Sequence, residues 1–307
     1  MADTPEQCEI CAETLEAMFP KVRDPQTGEV FSISRCLKCG LGHTYPQPGD
    51  LSPYYGPKYH GGRHGMTERL CVGRRLRFVS AVAQPGLLLD FGCGDGGFLE
   101  AASRLGWSVA GVEMQPSHAR ARGLRVEERI EETAGRFDLV TLWHSLEHVR
   151  SPRTVMQSIA ERLSADGTVI VAVPNLDSLQ ARAFRQNWFH LDVPRHLFHF
   201  TPLALERLFA RCGLHIVRRW NLEFELDLFG WTQGALNRVM PHPNVLFDTL
   251  TSRGNSHKPW EVGASFILGA GVTVAAAPAV LLSAAMAKGA VAIVAARKPG
   301  HTASARP

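Results

Sequence analysis

Four of the seven cysteines stand in two C-x-x-C pairs, Cys8/Cys11 and Cys36/Cys39. Each pair can hold two thiolates on one side of a tight turn. Two such turns brought together make a tetrahedral four-thiolate site, the ligand set that suits Zn²⁺. Gly40, directly after the second pair, fits a turn that needs a positive φ. Four protein ligands leave no open position on the metal, so this zinc is expected to be structural. A redox dithiol is the competing use of a C-x-x-C pair. Cys71, Cys93 and Cys212 stand outside the pattern and read as ordinary buried cysteines.

The second chemical motif is LLLDFGCGDGGFL, residues 87–99. An apolar run ends in a glycine-rich turn and then a helix. Glycines there let the backbone approach a ligand at the carboxyl end of the first strand of a parallel sheet. Glu113 closes the next strand, where a carboxylate can accept hydrogen bonds from both hydroxyls of a ribose. Two cofactor classes share this arrangement. Gly92, Gly94 and Gly97 satisfy G-x-G-x-x-G, the pattern of a dinucleotide site. Asp90 separates the classes, because nicotinamide sites usually keep the strand end apolar. Asp90 and Asp95 would repel a pyrophosphate, whereas S-adenosylmethionine (SAM) is a sulfonium cation with a free α-amino group.

The fourth strand of the pattern runs into Trp143-His144-Ser145-Leu146-Glu147-His148. In doubly wound sheets this edge faces the ligand crevice. Methyl transfer needs its nucleophile held in line with the methyl group, and an oxygen nucleophile can need a base of histidine's pKa. His148 and His144 are the candidates, and Glu147 with those two histidines could instead hold a divalent metal. A second cluster, Trp188 to His199, combines aromatic and titratable residues on an expected loop and suits an acceptor pocket. His196 is its candidate base, and Arg195 could pair with an acidic substrate or with Glu147. Any one of 13 histidines is more ordinarily structural than catalytic; their concentration at two strand ends singles out His148 and His196.

These residues need a scaffold of alternating strands and helices. Short β-branched or apolar runs predict strands at Leu87–Phe91, Trp107–Val112, Leu124–Val126, Phe137–Trp143, Thr168–Val173, His215–Trp220 and Val291–Ala295. Helices are expected over 63–83, Phe98–Leu105, Ser117–Arg122, Pro152–Leu163 and Pro202–Arg211. Such alternation gives an α/β fold, a parallel sheet with helices on both faces. The expected division is a zinc-binding domain over 1–50, a linker and helix over 51–83, a catalytic domain over 84–220 and 289–298, and an insertion over 221–288.

LLLDFGCGDGGFL, GWSVAGVE, FDLVTLWHSLEHV and GTVIVAVPN together resemble the successive motifs of class I SAM-dependent methyltransferases. The subgroup that includes the ubiquinone-type O-methyltransferases is the most similar. The N-terminal CxxC…RCLKCGL followed by tyrosines looks like that of zinc-containing members. The resemblance implies a Rossmann-like seven-stranded sheet, closed by an antiparallel last strand, behind a small zinc-ribbon-like N-terminal domain. It also implies that Asp90, Gly92 and Gly94 line the methionine part of SAM, with Phe91 and Cys93 of the same loop among the cofactor-binding residues. Glu113 would bind the ribose, Met114 would pack on the adenine, and Trp143 would be a further cofactor-binding residue. Glu128 and Glu131 are both available to read the adenine amine. The acceptor would be a small or lipid-linked molecule such as a quinone or sugar, methylated on oxygen or, second, on carbon.

The charge balance is mildly basic, +4 at pH 7, and calls for no nucleic-acid partner. Arg74, Arg75 and Arg77 read as a solvated helix face. The first residues carry glutamates and no apolar core of a signal peptide, so the expected location is the cytoplasm. Residues 262–287 carry no charge. Their length suits a membrane span, but one crossing would strand the last β-strand away from its sheet. The segment is therefore expected to be a helical hairpin turning near Pro278, an interfacial segment on the cytoplasmic face of a membrane, or internal packing. Peripheral membrane association would suit a lipid-linked acceptor. Oligomeric state has no signature. Two other functions stay open: an NAD(P)-dependent oxidoreductase, and a non-catalytic zinc-ribbon adaptor.

Overall fold

The fold is that of a computed structural model, which describes residues 7–55, 66–251 and 257–299. Most of the loop expected over 51–62, the start of the helix expected over 63–83 and the basic tail lie outside the described residues. In chain order come β1 (Leu15–Arg23), β2 (Val30–Cys36), β3 (Gly42–Tyr45), α1 (Met66–Ser80), β4 (Leu87–Phe91), α2 (Gly97–Ser103), β5 (Ser108–Val112) and α3 (Ser117–Ala121). Next are β6 (Val126–Glu127), β7 (Phe137–Trp143), α4 (Pro152–Arg162), β8 (Leu163–Pro174), α5 (Leu179–Phe184), β9 (Phe198–His199), α6 (Pro202–Arg211) and β10 (His215–Trp220). The last are α7 (Phe224–Val239), α8 (Val245–Thr251), α9 (Pro259–Ala285) and β11 (Val291–Arg297). The chain divides into two compact units, one of Met1–His64, Pro174–Ala204 and Asn221–Ala292, the other of Gly65–Val173, Leu205–Trp220 and Ile293–Pro307.

The seven-stranded sheet runs in the order β10-β11-β8-β7-β4-β5-β6. The pairs β4–β5, β4–β7, β5–β6 and β7–β8 are parallel, and β10 pairs antiparallel with β11. This is the Rossmann-like sheet with the closing hairpin that the motifs implied. Its inner strands are apolar on both faces because helices cover both. Leu88, Leu89, Leu139, Val140, Leu142, Val169, Ile170 and Val171 are all fully buried. The expected strands are recovered, with β8 starting earlier, at Leu163, and β6 shifted from Leu124–Val126 to Val126–Glu127.

The other unit is built on the antiparallel sheet β1-β2-β3-β9. Its fourth strand comes from far along the chain, pairing Gly42 with His199 and His43 with Phe198. Gly42 has to be glycine, since a Cβ there would stand 2.9 Å from the Cβ of His199. The core gathers Phe19, Val22, Phe31 and Ile33 from the first strands with Leu176, Phe184, Trp188 and Leu191 from the later segment. Arg195 ties the same two stretches together. Its guanidinium is 3% exposed and donates to Asp24 Oδ1 at 3.0 Å, Asp192 Oδ1 at 2.6 Å and the Tyr54 carbonyl at 3.0 Å. The sequence offered Arg195 to an acidic substrate; a guanidinium enclosed by these partners is instead a structural cross-link.

Helices α7, α8 and α9 belong to this unit and pack on one another. Asp227 anchors the start of α7, accepting from the Glu223 N–H at 3.0 Å and the Ala290 N–H at 2.7 Å. The hairpin expected near Pro278 is not formed: α9 is one helix that runs through Pro278. Proline removes the N–H that would bond the Val274 carbonyl. Pro278 and Val274 are both exposed, so neither the ring nor the freed carbonyl is enclosed by protein.

The two cysteine turns are built alike. The Ala12 N–H donates to the Cys8 carbonyl at 2.8 Å and the Gly40 N–H to the Cys36 carbonyl at 3.0 Å. The closing residues have φ of 56° and 76°, both left-handed. Glycine fits this conformation without strain; alanine does not. Replacing exposed Ala12 with glycine should therefore stabilise the protein by about 0.5–1 kcal/mol, read as a raised midpoint in chemical denaturation. A lowered midpoint would show that the first turn is not held left-handed.

Candidate cofactor and metal sites

The glycine loop leaves β4 at Phe91 and enters α2 at Gly97. The N–H groups of Gly92 and Cys93 both donate to the Val112 carbonyl, at 2.8 and 3.1 Å, folding the loop over the end of β5. Gly92 has φ 77°, and a Cβ there would lie 2.6 Å from that of Ser145, whose hydroxyl donates to the Phe91 carbonyl at 2.8 Å. Gly94 has φ 57° and nothing within 4 Å of where a Cβ would stand, so its backbone is open to an incoming group. Because Phe91 pairs in register with Val112, Glu113 stands just beyond the loop. Its carboxylate accepts from the Gly94 N–H at 2.9 Å and the Gln115 N–H at 3.3 Å. Met114 beside it is 83% exposed. Asp90 to Gly94, Glu113 and Met114 thus share one carboxyl edge. Asp95 faces α2 and Arg122, accepting from the Gly97 N–H and pairing with Arg122 at 3.0 Å.

Asp90 is enclosed in the sheet, 3% exposed. Thr141, its register partner on β7, donates to Asp90 Oδ1 at 2.6 Å. Burial pushes the carboxyl up to about 7, against the opposing pull of the Thr141 hydroxyl and the Arg75 guanidinium. The same burial raises the Cys93 thiol, which makes it a poor nucleophile. Trp143 is buried against Phe78, with ring centroids 6.3 Å apart, and Phe98, at 5.7 Å. The Arg75 guanidinium lies 5.3 Å from its ring centroid. Sequence reading left Thr141 inside a strand and assigned Arg75 to a solvated face. A hydroxyl inside the apolar stretch Leu139–Trp143 was the signal for the first; nothing in the local pattern marked the second. Glu128 and Glu131 are exposed and lie near Arg120 and Arg129, at 3.7 and 3.4 Å.

The histidine candidates fall in different units. His144 directly follows β7, and Glu147 and His148 lie in the short 3-10 turn after it. His144 has φ 55°, a left-handed conformation uncommon outside glycine and often kept at functional sites. Its Nδ1 lies 3.6 Å from Glu147 Oε1, and Glu147 is 1% exposed. His196 belongs to the other unit and is buried. Its Nδ1 bonds the His190 carbonyl at 2.9 Å and its own carbonyl accepts from the Thr44 hydroxyl at 2.7 Å.

The four N-terminal cysteines converge, with all sulfurs within 4.8 Å of one another. Cys8 and Cys39 Sγ are 3.6 Å apart and Cys11 and Cys36 Sγ 3.4 Å. A tetrahedral zinc–thiolate site has sulfur–sulfur edges of about 3.8 Å, and a disulfide about 2 Å. The spacing therefore fits four thiolates around one metal. The Cys39 N–H points to Cys36 Sγ at 3.5 Å, and the Thr201 hydroxyl holds the Cys39 carbonyl at 2.8 Å. Within the Cys8–Cys39 pair the proton favours Cys39: its hydrogen bond, aided by one from His43, holds Cys8 down as a thiolate.

The sequence profile of a methyltransferase-domain family matches residues 63–219. The ubiquinone biosynthesis O-methyltransferase of Xanthomonas axonopodis pv. citri (strain 306) is 32% identical over 117 residues, which are 33% of this chain and 49% of that protein. The chain thus spans about half the length of that relative. The protein of the same name from Caulobacter vibrioides (strain ATCC 19089 / CIP 103742 / CB 15) is 32% identical over 173 residues, 46% of this chain and 68% of the relative. A solved S-adenosylmethionine-dependent methyltransferase from Mesorhizobium loti superposes on 74% of this chain and 98% of its own with a TM-score of 0.44 and 15% identity. With a matching domain over half its length, the chain belongs to the class I SAM-dependent methyltransferase family.

Proposed function

We propose that this protein transfers a methyl group from SAM to an oxygen of a small-molecule acceptor, and that a structural Zn²⁺ holds its two cysteine turns together. The observation that carries the reading is Asp90. A buried carboxyl at the end of β4 is costly in the free protein. A cationic ligand offsets that cost, and a pyrophosphate would deepen it. Glu113, already turned toward the open Gly94 backbone, would exchange its internal hydrogen bonds for the ribose hydroxyls. Both curated relatives carry the O-methyltransferase name, which supports oxygen as the acceptor atom.

The chemistry asks little beyond position. The acceptor oxygen forms a bond to the methyl carbon while the carbon–sulfur bond breaks, and its electron pair stays on sulfur to give S-adenosylhomocysteine. The acceptor's proton needs a base. His148 or His144 would take it, and buried Glu147, 3.6 Å from His144, would orient that ring. The four cysteines would be saturated by zinc and stay outside the reaction. A cytoplasmic setting suits them, since thiolate ligands must stay reduced.

Titration calorimetry should show micromolar binding of SAM and S-adenosylhomocysteine and none of NAD⁺. Glu113→Ala should weaken both by about tenfold or more, the worth of a charge-assisted hydrogen bond. Binding of NAD⁺ alone would move the chain to the oxidoreductases.

Asp90 adds a pH signature. Its folded pKa, about 7, lies above its usual 3.8. The folded state therefore binds this proton more tightly than the unfolded state. The associated stability is full below pH 4 and is lost as pH rises toward about 7. Asp90→Asn should flatten that decline in the free protein. A nearby cation favours the carboxylate, so SAM affinity should climb between pH 5 and 7 with proton release on binding. No proton release at pH 6 would remove Asp90 from the site.

Purified protein should contain one zinc per chain. Strong chelation, or Cys39→Ser, should lower its melting temperature; full stability without metal would refute the structural zinc.

A further inference from the structure

Helix α9 has its polarity inverted relative to a helix of a water-soluble protein. Every hydroxyl or charged side chain it carries is turned inward: Glu261, Ser265 and Ser283 are buried and Thr273 is half-buried. Thr273 meets Thr232 of α7 at 2.9 Å, and Ser265 and Ser283 bond back to the helix's own carbonyls at 2.8 and 2.7 Å. The outward face is apolar throughout. Trp260, Ile267, Val274 and Leu281 form a stripe along it and are 56, 77, 78 and 65% exposed, flanked by Phe266 and Leu282. The helix is long and apolar enough to cross a membrane, yet only 22% of its most apolar stretch is buried. A core helix of the same composition would be mostly enclosed.

We infer that this face is a lipid-binding surface, on which the protein rests with α9 in the plane of an anionic membrane. The inference does not depend on the methyl-transfer reading. Four observations select lipid. Polar-in, apolar-out packing is what a helix adopts when its surroundings are hydrocarbon, where its hydroxyls must be satisfied internally. The 27-residue helix presents this face as one continuous apolar strip about 40 Å long, the kind of contiguous patch that marks an interaction surface. Charge is arranged to match: within α7–α9 and the turns joining them, Glu223, Asp227, Asp248 and Glu261 are buried and Glu225 half-buried, while Arg238 and Lys258 are exposed. Trp260 follows Lys258 at the start of the helix, and aromatic and basic residues favour the headgroup region.

Topology favours an in-plane orientation. Strand β11 begins soon after α9 and pairs with β10, which precedes the helical segment, so a single crossing by α9 would part β11 from its partner. A second copy of the chain fits less well. A coiled-coil seam in water is narrow and flanked by charges, whereas residues 262–287 have no charge on any face.

The test is flotation of the purified full chain with vesicles of phosphatidylcholine, with and without phosphatidylglycerol. The wild type should float, and more completely on the anionic vesicles. Ile267→Glu with Val274→Glu, both on the outward face, should cut flotation about tenfold or more with an unchanged circular-dichroism melt. Leu281→Glu is the second variant should the pair fail to fold. A wild type that stays at the bottom of both gradients overturns the inference, as does a folded variant that floats like wild type. A wild-type dimer that the glutamates split, with no flotation, assigns the face to a second copy and also overturns it.

Discussion

The parallel register of β4 with β5 on one side and β7 on the other is the constraint from which the cofactor edge follows. Pairing Asp90 with Gly111 and Thr141 sets the three strand ends level. The loop after β4 can then close on the Val112 carbonyl, Glu113 emerges beside Gly94, and Ser145 reaches the Phe91 carbonyl. A shift of one strand by one residue would break all three contacts and turn Asp90 to the opposite face. The interior that enforces the register is plain aliphatic packing; the chemistry is confined to what projects past its edge.

The cysteine-bearing unit rests on a different principle. Its first strands carry Lys21, Arg23 and Arg35, and its core is completed by Leu176, Phe184, Trp188 and Leu191. A small antiparallel sheet of this kind cannot enclose enough apolar surface alone. It is held by a buried arginine between carboxylates, by helical cover and by four thiols within metal distance. Each joins stretches far apart in the chain.

That difference explains what could be read from the sequence. The inner strands of the parallel sheet announce themselves as apolar runs, and β4, β7 and β10 start and end where the pattern puts them. Strands β1 to β3 mix polar and apolar residues without a regular period and carry no comparable run. Strand β9 is two residues long and exists only because β3 lies beside it. The end of α9 was obscured by Pro278, which locally reads as a break but stands where the freed carbonyl is open. At the site, glycines and acids were visible because their types are unusual at strand ends. Thr141 and Arg75 depend on which elements become neighbours, and spacing along one strand or helix does not encode that.

The late arrival of β9 bears on how the chain is made. Cys8 to Cys39 leave the ribosome early, and their two turns need only local hydrogen bonds to close. Phe198, His199 and Thr201, which complete the sheet and hold the Cys39 carbonyl, are synthesised long afterward. Until then β3 is an open edge, able to pair with another nascent chain. A metal captured by the cysteines during synthesis would keep that edge short and ordered while its partner is awaited.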